Sequence, residues 1–261
     1  YVRTSGPPSR SRAVLTALAV AHARRTPACV LVYAGLTSLS PEGIGPLLQP
    51  ILAGEADWVG PVYTHRIAEG TLTSNLLAPF CRALYGRRIQ QVLGGCAGLS
   101  LELASRLVEA EPPQGDPADH GLEIRMPLWA IVHGYRIQQA HLGRKALDPG
   151  LAPPDLATTV ARALGPFFQA MEPFRAFWQE VRGSVPVTQN GGPAAVLPDA
   201  GDENIQLDRM VRAFKLGLKD LLPIWEQAFQ EETLAGLYPL GLLPPDEFEF
   251  PVGLWSRLIC D

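Results

Sequence analysis

Five polar residues that could hold a small acidic or hydroxylated molecule lie within nine consecutive positions, namely His65, Arg66, Glu69, Thr71 and Thr73. His65 or Arg66 could pair with a carboxylate, the threonines carry hydroxyls, and a helix beginning here would add N–H groups that favour anions. The segment therefore resembles a loop that binds carboxylate and hydroxyl groups at a helix N-terminus. A simpler interpretation fits equally well, in which Glu69 and Thr71 only cap that helix.

A second candidate position is the turn after the apolar run at 28–32. In an open α/β sheet, ligands bind beyond the carboxyl ends of such strands. The residues at this turn are Tyr33, Ala34 and Gly35, and none of them carries a charge. The position is typical of a ligand-binding site, but none of these three side chains supplies a charged group for one.

The cysteines and histidines give little support for a metal site or a nucleophile. The four cysteines (Cys29, Cys81, Cys96 and Cys260) are far apart and form no CxxC pair. This spacing argues against zinc and disulfides and favours a reducing, cytoplasmic setting. Cys96 has no nearby His in the sequence that could activate it. The histidines at 22, 120, 133 and 141 show no ligand spacing, so we expect them at the surface or hydrogen-bonded in the core.

Charge and hydropathy exclude two classes of partner. The net charge of −4 gives no general electrostatic reason to bind nucleic acid or an anionic membrane. A mild basic cluster at Arg82, Arg87 and Arg88 fits a solvated helix face better than a phosphate-binding patch. The longest apolar run, 13–21, is too short for the ~20 residues of a membrane span, so no transmembrane segment is expected.

The elements that must position these residues follow from apolar periodicity. It predicts helices over 9–25, 41–52, 70–86, a stretch beginning at an N-cap Ser100, and 122–133, with strands over 28–33, 57–63 and 135–142. This alternation predicts an α/β fold with a mostly parallel sheet. After a Pro/Gly-rich loop at 112–119 and the last of these strands, the pattern changes to long amphipathic helices that flank a Gly/Pro loop at 183–203. We therefore predict an α/β domain over 1–150 and a helical region over 151–261.

Three segments together carry a resemblance to a known family. They are residues 28–52, residues 57–100 with "EGTLTSNLL" and "GGCAGLS", and residues 208–255. In these segments the chain resembles the GT-A nucleotide-sugar glycosyltransferases, and within them the bacterial mannosylglycerate and glucosylglycerate synthases. The resemblance implies a GT-A, Rossmann-like sheet. It also implies that the α/β domain lacks its first strand, since no strand is predicted before Arg3.

The same resemblance identifies what has changed. Such enzymes place an Asp-x-Asp pair, which holds a divalent metal on the donor diphosphate, where this chain has Tyr33, Ala34 and Gly35. Cys96 stands where relatives carry an Asp near the sugar, and Leu147 stands where a His completes the metal site.

Some of the implied site survives in altered form. The expected acidic residue is Glu123, and the Lys of the entry loop is replaced around Pro8-Ser9-Arg10. The loop from His65 to Thr73 corresponds to the acceptor side. We therefore expect no catalytic residue, no metal and no cofactor.

These departures predict a glycosyltransferase-like protein that has lost metal-dependent sugar transfer. It would serve as a non-catalytic structural or binding subunit, with other protein subunits or a second copy as partner. The alternative is an active enzyme that moves a hexose from a UDP- or GDP-linked sugar to a small acceptor such as glycerate. It would use Mg²⁺ or Mn²⁺, or a cationic substitute from Arg10, Arg66, Arg125 or Lys145. A third hypothesis is a regulator that binds nucleotide or sugar.

Overall fold

The structure is a computed structural model that describes residues 9–67, 69–110, 121–150, 156–198 and 207–261. The predicted loop at 112–119, His120, Arg3 and Pro8 lie outside these residues. The chain divides into two compact units, Tyr1–Asp199 and Ala200–Asp261.

The first unit alternates helices and strands, as the periodicity predicts. Its helices are α1 (Arg10–Ala23), α2 (Pro41–Leu52), α3 (Ala78–Tyr85), α4 (Leu101–Glu109), α5 (Gly121–Val132), α6 (Leu156–Met171) and α7 (Arg175–Trp178). Its strands are β1 (Ala28–Val32), β2 (Trp58–Arg66), β3 (Arg87–Arg88), β4 (Cys96–Ser100), β5 (Ile137–Arg144), β6 (Val185–Pro186), β7 (Thr188–Asn190) and β8 (Val196–Leu197). The α/β prediction is confirmed.

Local signals set several helix ends. The Ser100 hydroxyl accepts a hydrogen bond from the Leu103 N–H, which confirms Ser100 as the N-cap of α4. Ser40 caps α2 in the same way, with Pro41 in the favoured first turn. Gly86 ends α3 in the left-handed conformation.

The main sheet is mixed and mostly parallel, with strand order β1-β4-β2-β5-β7 and β8 paired to the end of β2. β4 runs antiparallel between β1 and β2, with Val32 opposite Cys96. β5 is parallel to β2, and β7 is parallel to β5. This topology brings the carboxyl ends of β1, β2 and β5 to one edge, beside the amino end of β4.

A hydrophobic core covers each face of this sheet. One contains Leu18, Leu99, Leu103, Ile124 and Phe167, from α1, β4, α4, α5 and α6. The other packs Leu47 and Ile51 of α2 against the opposite face. A Cβ at Gly98 would lie 2.3 Å from the Leu47 carbonyl oxygen, so α2 packs this closely only because residue 98 has no side chain.

Two parts of the first unit differ from the sequence prediction. The helix expected over 70–86 contains a π-helical segment, Thr73–Leu77, before α3. The predicted loop at 183–203 contributes β6, β7 and β8, because its backbone pairs side by side with β3, β5 and β2.

The predicted division near residue 150 and the boundary between the compact units do not coincide. Three short strands, β6 to β8, follow residue 150, and Ala163, Phe167 and Ala170 of α6 belong to the core of the first unit. Phe174 and Phe177 pack against this core, whereas Phe168 is 48% exposed.

The second unit is helical, with α8 (Leu207–Ala228), α9 (Glu231–Leu242) and α10 (Val252–Cys260). Leu234, Leu237, Leu240 and Leu254 form its core, with Trp225 packed against them. Lys215 Nζ donates a hydrogen bond of 2.6 Å to the Leu243 carbonyl. Among the residues described in either unit, no helix has the length and apolar character that crossing a bilayer requires.

Candidate functional site

The turn after β1 is held by backbone hydrogen bonds to two other segments. The Tyr33 N–H donates to Gly95 O at 2.7 Å, and the Asp148 N–H donates to Gly35 O at 2.8 Å. Leu36 and Leu147 form an isolated antiparallel bridge. Tyr33, Ala34, Gly35, Cys96 and Leu147, which were predicted separately from the sequence, therefore lie around one turn.

An ion pair lies beside this turn. Arg10 Nη2 donates to Glu123 Oε2 at 2.5 Å, and the two side chains are only 22% and 17% exposed. The other carboxylate oxygen, Oε1, accepts the Gly95 N–H at 2.8 Å. The Arg10 guanidinium lies 4.2 Å from the centre of the Tyr33 ring, within the range of a cation–π contact. Glu123 thus joins the first turn of α1 to the loop before β4.

Beneath the turn lies a group of buried polar atoms. The Tyr63 hydroxyl donates to Gly94 O at 2.8 Å and lies 3.6 Å from Cys96 Sγ. Burial raises the pKa of the Tyr63 hydroxyl and of the Cys96 thiol, so both are neutral near pH 7. The Cys96 thiol is therefore in its less nucleophilic form at neutral pH.

Lys145 extends toward the same group of atoms. Its Nζ donates to Leu93 O at 3.2 Å and lies 5.7 Å from the centre of the Tyr63 ring. Burial lowers the pKa of the Lys145 ammonium, and the nearby Glu123 carboxylate opposes this only in part. Lys145 is thus a half-buried cation on the cavity wall.

The polar loop after β2 is fixed by Glu69. Its Oε2 accepts the Arg66 N–H at 2.9 Å, and its Oε1 accepts Arg144 Nη2 at 2.8 Å. His65 Nδ1 donates to Tyr63 O at 3.3 Å. Glu69 therefore braces its own loop against the end of β5.

Two adjacent cavities open at this edge of the sheet. The larger, of about 580 Å³, is lined by His65, Glu69, Thr73, Lys145 and Leu147 among others. Of the five polar loop residues, His65, Glu69 and Thr73 lie on this wall, and Arg66 and Thr71 do not. The smaller, of about 300 Å³, lies between α1, β1, β4 and α5 and is mostly apolar. Arg10, Tyr33, Gly95 and Glu123 line both cavities.

The side chains at the turn do not fit a divalent metal. Mg²⁺ and Mn²⁺ prefer carboxylate and other oxygen ligands. The turn offers a ring that contacts Arg10, a methyl group and a hydrogen atom, and Leu147 offers no ligand atom. Both oxygens of Glu123 already accept hydrogen bonds. Within the described ranges, no group of three or more His, Cys, Asp or Glu side chains could hold a metal ion.

His22, His133, His141 and Arg125 line neither of the two cavities. His22 hydrogen-bonds Ser105 at 2.7 Å, His141 bonds Thr64 at 2.9 Å, and His133 bonds the Trp129 carbonyl at 2.8 Å. These contacts confirm the prediction for those three residues. Arg125 is half-buried on α5, where burial lowers its pKa, and it lines neither of the two cavities.

Tyr63 and Arg144 belong to the site but were not predicted from the sequence. Tyr63 falls in an apolar strand pattern that marks it only as core. Arg144 follows the predicted strand by two residues and meets Glu69 across 75 positions of sequence. The one available signal was that both lie near the carboxyl ends of parallel strands.

Comparison with known proteins gives matches to solved structures only. No protein-family model matches the sequence, and no curated protein matches it. The chain is similar to glucosyl-3-phosphoglycerate synthase from Mycobacterium tuberculosis in complex with phosphoglyceric acid. The two are 21% identical, the match covers 64% of this chain and 56% of that chain, and the TM-score is 0.50.

Two further structures give the same picture. The same enzyme with Mn²⁺, UDP-glucose and phosphoglyceric acid is 20% identical, with 71% of this chain and 64% of that chain covered and a TM-score of 0.50. A mycobacterial protein is 22% identical, with 65% and 53% covered and a TM-score of 0.50. The chain thus spans less than two thirds of the length of these structures. At such identities the likeness establishes the fold alone, and the chain has the α/β fold of the GT-A glycosyltransferases.

Proposed function

We propose that this chain is a glycosyltransferase-like protein that does not carry out metal-dependent sugar transfer and serves as a non-catalytic binding or structural subunit. The observation that supports this most is the side-chain chemistry of the turn after β1. Glu123, a carboxylate beside this turn, is bound to Arg10 and to the Gly95 N–H. Without a metal, stabilisation of the leaving diphosphate worth several kcal/mol would have to come from other groups.

A binding role uses what the site retains. The cavity of about 580 Å³ falls in the size range of small-molecule sites. Its wall carries two cations, Arg10 and Lys145, and two carboxylates, Glu69 and Glu123. This balance suits a ligand with both anionic and hydroxyl groups.

The experiment compares nucleotide-sugar binding with and without metal. UDP-glucose and GDP-mannose are titrated into the protein in EDTA, Mg²⁺ or Mn²⁺, and transfer to glycerate and 3-phosphoglycerate is followed by mass spectrometry. We expect no turnover and no effect of metal on binding. Metal-dependent binding followed by turnover would refute the proposal.

A variant with the missing metal ligands restored shows whether Mn²⁺ binding at the turn can be detected. Tyr33→Asp, Gly35→Asp and Leu147→His are combined in one protein, and Mn²⁺ binding is measured by electron paramagnetic resonance. We expect the variant to bind Mn²⁺ more tightly than the unmodified protein. If the unmodified protein binds Mn²⁺ as well as the variant does, our account of the turn is wrong.

A second candidate function is sugar transfer without a metal. Arg10 and Lys145, both on the wall of the larger cavity, favour it, because fixed cations can stabilise a developing diphosphate charge. In that case transfer would proceed in EDTA and would fall by at least 100-fold in Lys145→Met. A protein that turns over in EDTA but keeps its rate in Lys145→Met would contradict this mechanism.

The subunit role requires a protein partner, another copy or a different chain. The support is a set of exposed apolar side chains on α8, including Leu216, Leu221 and Ile224 at 60%, 43% and 61% exposure. Light scattering after size exclusion, together with co-purification, tests this part. A protein that remains a monomer at all concentrations and co-purifies with nothing would refute it.

A further inference from the structure

Two arginine side chains converge on one serine hydroxyl on a surface away from the cavities. Arg82 Nε on α3 and Arg88 Nε on β3 each donate to Ser184 Oγ, both at 3.2 Å. Arg88 Nη2 also donates to the Ser184 carbonyl at 3.3 Å. Both acceptor positions of the hydroxyl are therefore used, and its O–H remains a donor toward solvent.

The backbone around Ser184 is fixed by β3 and β6. The two strands are parallel, with Arg87 opposite Val185, and the Val185 N–H donates to Gly86 O at 3.0 Å. Gly86 has a φ of 65°, and a Cβ there would lie 3.0 Å from Gly183 O. Glycine at 86 thus allows the segment with Ser184 to lie directly against α3 and β3.

The charge around this hydroxyl is positive. Arg82, Arg88 and Arg182 line one open depression of about 740 Å³, and all three are exposed. Arg182 Nη1 donates to Gln179 O. No carboxylate in the described part of the chain forms an ion pair with any of the three arginines. The Nη groups of Arg82 have no hydrogen-bond partner among the described residues either.

We propose that this basic depression, formed by Arg82, Arg88, Arg182 and Ser184, is a binding site for a phosphate monoester. Guanidinium groups match the geometry of phosphate oxygens and bind them in pairs. The Ser184 O–H supplies a further donor between the two guanidiniums. A monoester carries close to two negative charges near neutral pH, which suits three cations without an acidic partner. A diester carries one charge and binds more weakly.

This site is independent of the proposed function. It shares no residue with either cavity at the β1 turn. Loss of phosphate binding here would therefore leave the nucleotide-sugar titrations unaffected, and the reverse also holds.

The test is a titration of the full chain with methyl phosphate, with dimethyl phosphate as the diester. Amide ¹H–¹⁵N shifts of Gly183, Ser184 and Val185 report on binding. We expect methyl phosphate to move these signals in a saturable way and to bind at least fivefold more tightly than dimethyl phosphate. We also expect weaker binding at about pH 5, where the monoester loses one charge. Equal affinity for the two esters would overturn the proposal.

Matched charge variants separate the site from general electrostatics. Arg82→Gln/Arg88→Gln removes two exposed guanidiniums at the site, and Arg24→Gln/Arg25→Gln removes two exposed guanidiniums elsewhere. The first is expected to weaken methyl phosphate binding at least tenfold and the second less than twofold. Similar losses in both variants, or no loss in the first, would overturn the proposal. Ser184→Ala is expected to weaken binding about tenfold, as for a hydrogen bond to a charged group, and full retention of affinity would show that the hydroxyl does not contact the phosphate.

Discussion

Glu123 forms one bond to Arg10 and another to the Gly95 N–H, and two substitutions separate their contributions to stability. Glu123→Gln keeps an oxygen for the Gly95 N–H but removes the charge that pairs with Arg10. A charge-assisted bond contributes about 1.5–3 kcal/mol, and partial burial of both side chains places this pair near the lower end. Glu123→Ala also leaves the Gly95 N–H without its acceptor, which costs roughly a further 1–3 kcal/mol. We therefore expect losses of about 1.5 kcal/mol for Glu123→Gln and about 3 kcal/mol for Glu123→Ala.

Hydrogen exchange followed by mass spectrometry measures both losses where they arise. Exchange of a peptide that spans Gly95 should quicken about tenfold in Glu123→Gln and by a further factor of about ten in Glu123→Ala. Peptides from α8 serve as an internal reference. The exposed pair Arg106–Glu109, with side chains 61% and 58% exposed, gives the control Glu109→Gln, for which we expect almost no change. Equal exchange in the two Glu123 variants would refute the role of the Gly95 bond.

Three further predictions concern the supporting structure. Burial alone would raise the pKa of Asp57, but hydrogen bonds from Arg136 outweigh burial and lower it. The protein should therefore keep its stability above about pH 4 and lose part of it below that pH. Urea unfolding midpoints measured across this range should show this pH dependence, and Asp57→Asn should lose it. Gly98→Ala should lower the free energy of unfolding by more than about 2 kcal/mol, because the added Cβ would lie 2.3 Å from Leu47 O. In the control Gly45→Ala in α2, the added Cβ would have its nearest atom at 3.7 Å, so thermal unfolding should show no change or a gain in stability. Because burial lowers the pKa of Lys145, its reductive methylation should reach half its maximum rate at a lower pH than that of a free lysine side chain, and an equal or higher midpoint would contradict the cavity environment described for it.

The parts of the fold that depend on neighbouring residues could be predicted from the sequence. Ser40 and Ser100 mark helix starts through bonds to the N–H three residues further on, and Gly86 marks a helix end through its left-handed conformation; all three do so in the structure. The order of the sheet could not be derived this way. β4 reaches β1 and β2 only by long-range pairing, and its direction depends on packing that no local pattern encodes.

The sequence predicted several residues of the candidate site, but not which of them contact one another. Glu123 was expected as an acidic residue of the site, but its partner Arg10 lies 113 positions away, so the pair appears only in the fold. The basic cluster at Arg82 and Arg88 was interpreted as a solvated face, because Ser184 lies about 100 positions further along the chain. The roles proposed for these residues remain predictions.

The π-helical segment Thr73–Leu77 has a consequence for how the chain can change in length. Relative to an α-helix, such a segment accommodates one additional residue without the rotation of about 100° that an extra residue in a regular α-helix would impose on the flanking chain. Deleting one residue here would therefore give a regular helix in which Cys81 and Tyr85 stay in the core and the chain before Thr73 keeps its orientation. The loop held by Glu69 and Arg144 would still meet the end of β5, and the change would be confined to the cavity wall near Thr73 and Ser74. A homologue that is one residue shorter in this helix would thus keep the same core and the same loop, with a different cavity wall at this one turn.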